Sequence, residues 1–205
     1  MAICGELNKG QDNACPTLQK GYIQELQLAN FNDVEIKEVD VDCESETNRF
    51  RAKVGLKEGK TAFSFSGVGR GNNIRAWYSF DVDDNGMPFY THHVQIILTG
   101  ATEDQKCIVK GLGAGLFVAF ARLRSYTDPV TSDVVPAVEV FGLVNGLAAV
   151  PYDYNLAETG GVTTIELASN EGFEEPDPSY IYSSPTAGSE IEDWESRFAG
   201  PELSA

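Results

Sequence analysis

The sequence predicts a mainly β protein: a β-sandwich or barrel with one short flanking α-helix, continued by an extended acidic C-terminal arm. Three observations carry that expectation. Apolar residues alternate at period two in block after block, most cleanly at Val94, Ile96 and Leu98 within Phe89–Leu98, the mark of a half-buried strand. Inside the domain a helix start is written once, at Thr102-Glu-Asp-Gln105, where Thr102 is the N-cap and Gln105 completes a capping box. Beyond Asn170 the composition turns to Pro, Ser, Gly and acid, which is linker-like.

At 205 residues the chain can bury a proper core, and one domain plus an arm is the natural division. Residues 1–20 are polar and Gly-bearing and read as an N-terminal arm or loop, 21–170 as the β domain, and 171–205 as the acidic arm. The first strand is expected over Gly21–Phe31 with Leu26 and Leu28 inward, and the second over Val34–Val41. The apolar face of the second is Val34, Ile36, Val39 and Val41, and its slip in phase after Ile36 predicts a bulge. Asp42–Asn48 reads as a solvated acidic turn. Phe50–Val54 and Thr61–Ser66 read as two arms flanking a hairpin loop at Lys57–Lys60, and Gly67–Asn73 as a flexible tip. Ile74–Val82 is a strand closed by Asp83-Asp-Asn-Gly86, the strongest hairpin signal in the chain, which pairs it with Phe89–Leu98.

The capped helix carries Glu103 and Asp104 in its first turn, where the helix dipole favours negative charge. Cys107, Ile108 and Leu112 form its apolar stripe, and Gly111 and Gly113 are expected to stop it. Leu116–Ala121 is a strand-length apolar run, joined by a Pro-bearing loop (Ser125–Pro136) to a further strand at Ala137–Phe141, then Gly142-Leu-Val-Asn-Gly-Leu147. Val162–Leu167 closes the domain. Within the arm, Ser189-Glu-Ile-Glu192 is a second capping box, and Ile191, Trp194 and Phe198 fall at i, i+3 and i+7. So short a helix does not hold alone in water. Ile191, Trp194 and Phe198 are therefore the expected assembly contacts, docking an amphipathic face on the same chain or on a neighbour.

Charge and motif content exclude several functions. The net charge is −16, which opposes nucleic acid as a bound partner, because phosphate neutralisation needs clustered Lys and Arg. No stretch reaches the roughly 18 apolar residues that span a bilayer. Met1-Ala-Ile-Cys-Gly-Glu6 lacks a basic-then-apolar leader, so the expectation is a product soluble where it is made. Cys4, Cys15, Cys43 and Cys107 form no C-x-x-C pair and have no histidine nearby, which favours reduced thiols over a disulfide framework or a zinc site.

Asp81-Val-Asp-Asp-Asn-Gly86 matches half of a calcium loop. However, His92 stands where the bidentate glutamate belongs, and strands flank the segment, so it reads as a turn. Gly67-Val-Gly-Arg-Gly71 and Gly111-Leu-Gly-Ala-Gly115 complete no phosphate-binding pattern. His92 and His93 are the only histidines. Adjacent on a strand, they point to opposite faces and cannot share one substrate or metal. Glu139 stands in an apolar strand and reads as its outward face. No catalytic residue, metal ligand or cofactor is expected.

Taken in order, these elements resemble the tail-tube proteins of tailed bacteriophages, notably those infecting Bacteroidetes. The resemblance rests on Gly21-Tyr-Ile with Leu28-Ala-Asn-Phe-Asn-Asp-Val34, and on Asn85-Gly-Met-Pro-Phe-Tyr90 leading into Val94–Leu98. The capped helix follows, then Gly115-Leu-Phe-Val-Ala119, Val140-Phe-Gly-Leu-Val-Asn-Gly-Leu147 and Gly160-Gly-Val-Thr-Thr-Ile-Glu-Leu167. It covers roughly residues 20–170. The long Ser125–Pro136 loop and the acidic extension depart from it, as a specialised ring or hub component would.

The resemblance implies a non-enzymatic virion structural protein, a tail-tube or tail-hub subunit assembled in the host cytoplasm. Six copies would form a ring whose strands join into one inner barrel, with further tail or connector proteins as partners. DNA would pass as unbound cargo during ejection, repelled by the negative wall, and no membrane partner is implied. The alternatives are a head–tail connector ring, a capsid accessory protein, or a small β-sandwich ligand-binding module.

Overall fold

The computed structural model describes residues 23–43, 49–66, 74–99, 102–123, 126–127, 134–135, 138–152, 154, 158 and 160–183. The elements are β1 (Ile23–Asn30), a 3-10 turn (Phe31–Asp33), β2 (Val34–Asp42), β3 (Arg49–Leu56), β4 (Phe63–Ser66), β5 (Ile74–Val82) and β6 (Pro88–Thr99). They continue with α1 (Glu103–Ala114), β7 (Leu116–Leu123), β8 (Tyr126–Thr127), β9 (Val134–Val135), β10 (Val138–Phe141), β11 (Leu147–Ala149), β12 (Val162–Ala168) and β13 (Tyr180–Ser183). The fold is mainly β with one α-helix among the described residues, as the alternation patterns require. Ile191, Trp194 and Phe198 lie outside the described residues, as do the predicted N-terminal arm (1–20) and the Gly67–Asn73 tip.

The organising strand is β7. Its run Leu116–Ala121 is apolar at every position because both of its faces are buried. Phe117, Ala119 and Ala121 belong to one core cluster with Leu26, Leu28, Val94, Ile96, Ile165 and Leu167. Val118 and Phe120 belong to another with Ala52, Val54, Val138, Val140, Tyr180 and Tyr182. β1 lies antiparallel along one edge of β7, from Ile23 opposite Leu123 to Asn30 opposite Phe117. Along the other edge run β10 and then β11, with Phe141 opposite Ala119 and Leu147 opposite Phe117.

Between those two registers the chain bulges out at Gly142–Gly146, and there the sheet divides. The sheet path is β2-β3-β13-β10-β7-β11-β12-β6-β5, so one half-sheet grows from β10 and the other from β11. Such a strand, switching partners at an irregularity, is how sandwich corners are made. Glycine is required there: Gly142 and Gly146 have φ of +68° and +80°, and a Cβ would fall 2.5 Å from Leu147 and Leu116 respectively.

Several expectations are met in detail. β5 and β6 pair from Ile74 opposite Ile96 to Val82 opposite Pro88. Their turn is held by Asp83, whose Oδ1 accepts from the N–H of Asn85 and Met87 at 2.9 and 2.7 Å. β2 slips register between Ile36 and Glu38. Thr102 Oγ1 caps α1 by accepting from Gln105 N–H at 3.3 Å.

Three expectations are corrected. Gly111 and Gly113 do not stop α1, which runs to Ala114. Burial of Leu112 between them outweighs the roughly 1 kcal/mol that each glycine costs a helix. The Lys57–Lys60 turn does not join a hairpin. β3 pairs with β2 and β13, whereas β4 pairs with β1, so the turn carries the chain between parts of the sheet. The domain does not end near Asn170: β13 lies between β10 and β3, parallel to β3, with Tyr180 only 2% exposed. The apolar face of β2 is largely uncovered. Ile36, Val39 and Val41 are each more than two-fifths exposed, at 46%, 43% and 44%.

Candidate interaction surfaces

The polar residues gathered at the sheet division form a lock. Glu175 is fully buried, and its carboxylate accepts from the backbone N–H of Val144 (3.0 Å) and Asn145 (2.8 Å) in the bulge. Burial pushes its pKa up, and the donors from Asn145 and Val144 pull part of the way back. Its backbone exchanges hydrogen bonds with Tyr90 at 2.9 and 2.8 Å, and Asn145 Nδ2 donates to the Glu174 carbonyl at 2.6 Å.

His92 is also fully buried. Its Nδ1 accepts from Gly142 N–H at 3.0 Å, while Nε2 is 3.1 Å from the Asp177 carbonyl. Both partners are satisfied by the neutral ring protonated on Nε2. Burial depresses the pKa of His92 to about 4, against the raising effect of the Asp177 carbonyl. Tyr180 Oη donates to Asp177 Oδ2 at 2.6 Å. Together these contacts fasten residues 174–180 to both half-sheets.

His93 faces the other way, as the strand geometry requires. It stacks on Trp77 with centroids 5.0 Å apart and lies 2.8 Å from Glu166 through Nδ1. Glu139, read as an outward residue, accepts from Ser179 Oγ at 2.7 Å, a structural contact to the residue just before β13. Cys43 and Cys107 are exposed, and Cys4 and Cys15 lie outside the described residues. Among the described residues no group of three or more His, Cys, Asp or Glu could hold a metal. No helix among them is long and apolar enough to cross a membrane.

What remains is surface. Among the described residues β2 and β5 end the sheet path, each nine residues long. Each also overhangs a core. On β5, Ile74 is buried, but Tyr78, Phe80 and Val82 on the same face are 45%, 58% and 45% exposed. Tyr90 packs beside Tyr78 and Phe80, with centroids 5.7 and 5.5 Å away, and Met87 extends the ridge at the turn. On β2, Ile36, Val39 and Val41 lie opposite Val54, Ala52 and Phe50 of β3, which face the second core cluster.

A third feature lies beside α1. The helix, β1, β4 and the start of β7 enclose an apolar groove of about 470 Å³, lined among others by Leu28, Phe63, Phe65, Ile108, Leu112 and Phe117. Among the described residues that line it, only Asn30 and Cys107 have a side chain with a polar atom. Gly115 is needed at its end because a Cβ there would sit 2.2 Å from the Phe117 ring. Sequence reasoning did not anticipate the groove, since its walls come from four separate elements.

Comparisons with known protein families, curated proteins and solved structures find no match.

Proposed function

We propose that this chain is a non-enzymatic structural subunit that assembles with copies of itself, of the phage tail-tube or tail-hub ring type its sequence resembles. The observation that carries the reading is the pair of overhanging sheet ends. Two nine-residue edge strands at opposite ends of one sheet path continue apolar faces beyond the cores they cover. A long edge strand with exposed aromatics is a template for pairing unless another chain covers it. When one copy's end meets the other end of the next, the contact is heterologous and generates a ring if the rotation closes. The net charge of −16 suits a channel wall that must not hold passing DNA.

Mass photometry and negative-stain imaging of the full chain test this. Six-fold rings or stacked tubes at micromolar concentration are expected. A monodisperse monomer at every accessible concentration overturns the proposal, and twelve-fold rings replace the tube or hub by a connector.

A further inference from the structure

We propose that the apolar groove beside α1 is the receptor for this chain's own segment 189–198, docked as an amphipathic helix with Ile191, Trp194 and Phe198 turned into it. The docking does not depend on ring formation; it stands on the groove and the segment.

Size and chemistry agree. A groove of about 470 Å³ falls in the range that holds large apolar groups, and its lining is almost entirely hydrocarbon. The segment offers one Ile, one Trp and one Phe on a single helical face, behind a Ser189/Glu192 capping box. This is the anchor spacing of a helix that lies in a groove, and a helix so short needs such a surface to persist.

Length agrees too. Ile191 and Phe198 are seven residues apart, about 10.5 Å along a helix. The lining residues of α1 run from Cys107 to Ala114, the same seven residues and the same rise. Eight steps separate Ser183 from Ile191, an extended reach of about 28 Å, comparable with twice the roughly 15 Å radius of gyration of a 150-residue domain.

Cys107 lines the groove and is exposed, which makes it a reporter of what covers the groove. Peptide-resolved alkylation of the full-length protein with iodoacetamide measures its rate, with exposed Cys43 as control. Trp194→Glu should raise the Cys107 rate about tenfold, the loss of a modest local protection, and leave the Cys43 rate unchanged. A Cys107 rate equal in the two proteins overturns the proposal, and protection that survives the substitution gives the groove to a different occupant.

A second measurement approaches from the groove side. The chain has two tryptophans, so in a Trp77→Phe background Trp194 is the sole indole emitter. Its emission should be blue-shifted and should move to the solvent-exposed wavelength when Gly111→Phe fills the groove. Gly111 has open space where a side chain would be added, so that substitution spares the domain. Solvent-like Trp194 emission with the groove unfilled overturns the proposal.

Discussion

The sheet division at Gly142–Gly146 and the ends of the described sheet path at β2 and β5 are both places where the ladder is interrupted, and they are finished in opposite ways. At the division three backbone N–H groups are met by buried side chains: Val144 and Asn145 by Glu175, Gly142 by His92. At the ends, among the described residues, apolar side chains of β2 and β5 are left uncovered. The difference separates what this chain needs in order to fold from what it presents once folded. Substitutions at the division should cost stability, and substitutions at the ends should cost association.

Glu175→Ala should break the comparison most visibly. The two N–H groups of the bulge would lose a buried acceptor, and a cavity would open beneath them. A loss of about 3 kcal/mol in urea unfolding is expected, with the denaturant midpoint shifted and the slope little changed. If the loss is under about 0.5 kcal/mol, typical of an exposed surface site, the bulge does not depend on Glu175.

The pH dependence comes next. His92 has a folded pKa of about 4 against an ordinary value of 6.5, so below 6.5 the unfolded chain binds the proton more readily. The stability tied to the neutral ring is present above pH 6.5 and is lost as pH falls through 4, at most about 3 kcal/mol. Glu175 opposes this. Its folded pKa is raised from 4.5, so its stabilising share is present below the unfolded value and is lost as pH rises through the folded one. The natural chain should therefore show a partly compensated slope. His92→Gln should remove the histidine component, so that stability no longer falls between pH 6.5 and 4. An unchanged slope in that variant would mean that His92 is protonated without penalty.

Legibility in the sequence followed the range of the interactions. The β5–β6 hairpin was readable because Asp83 and Gly86 write their turn within a few residues. The β2 bulge was readable because it leaves a phase slip after Ile36, and the opposed histidines because strand alternation admits nothing else. The destinations of β3, β4 and β13 were hidden, since their partners lie far away in the sequence. β13 carried one usable signal, the Tyr180-Ile-Tyr182 alternation, but Pro176, Pro178 and the acids around it gave that stretch the composition of a linker. Glu175 looked like any acid of the tail; only a fold that brings it beneath residues 144 and 145 makes it a structural acceptor. The groove left no trace, because no single element carries its apolar pattern.

The two ends of the sheet are themselves unequal, and the smallest effect on folding should expose this. β2 is bulged, and its surface is laced with ion pairs, Lys37 with Glu35 at 2.5 Å and Lys53 with Glu38; bulges and edge lysines are devices that discourage strand addition. β5 keeps regular register over all nine residues and presents Tyr78 and Phe80 without a lysine on the strand. Association should thus be more sensitive at β5 than at β2. Phe80→Ser removes a ring that is 58% exposed, so it should change folding stability by no more than about 0.5 kcal/mol. Its association constant should nevertheless fall about tenfold or more, as expected when a central aromatic anchor is lost. Val39→Ser, at 43% exposure on β2, should leave stability equally unchanged and weaken association less. Sedimentation velocity across a concentration series gives both constants. Equal losses would make the two edges equivalent partners in one contact, and a loss at Val39 alone would move the principal interface to β2.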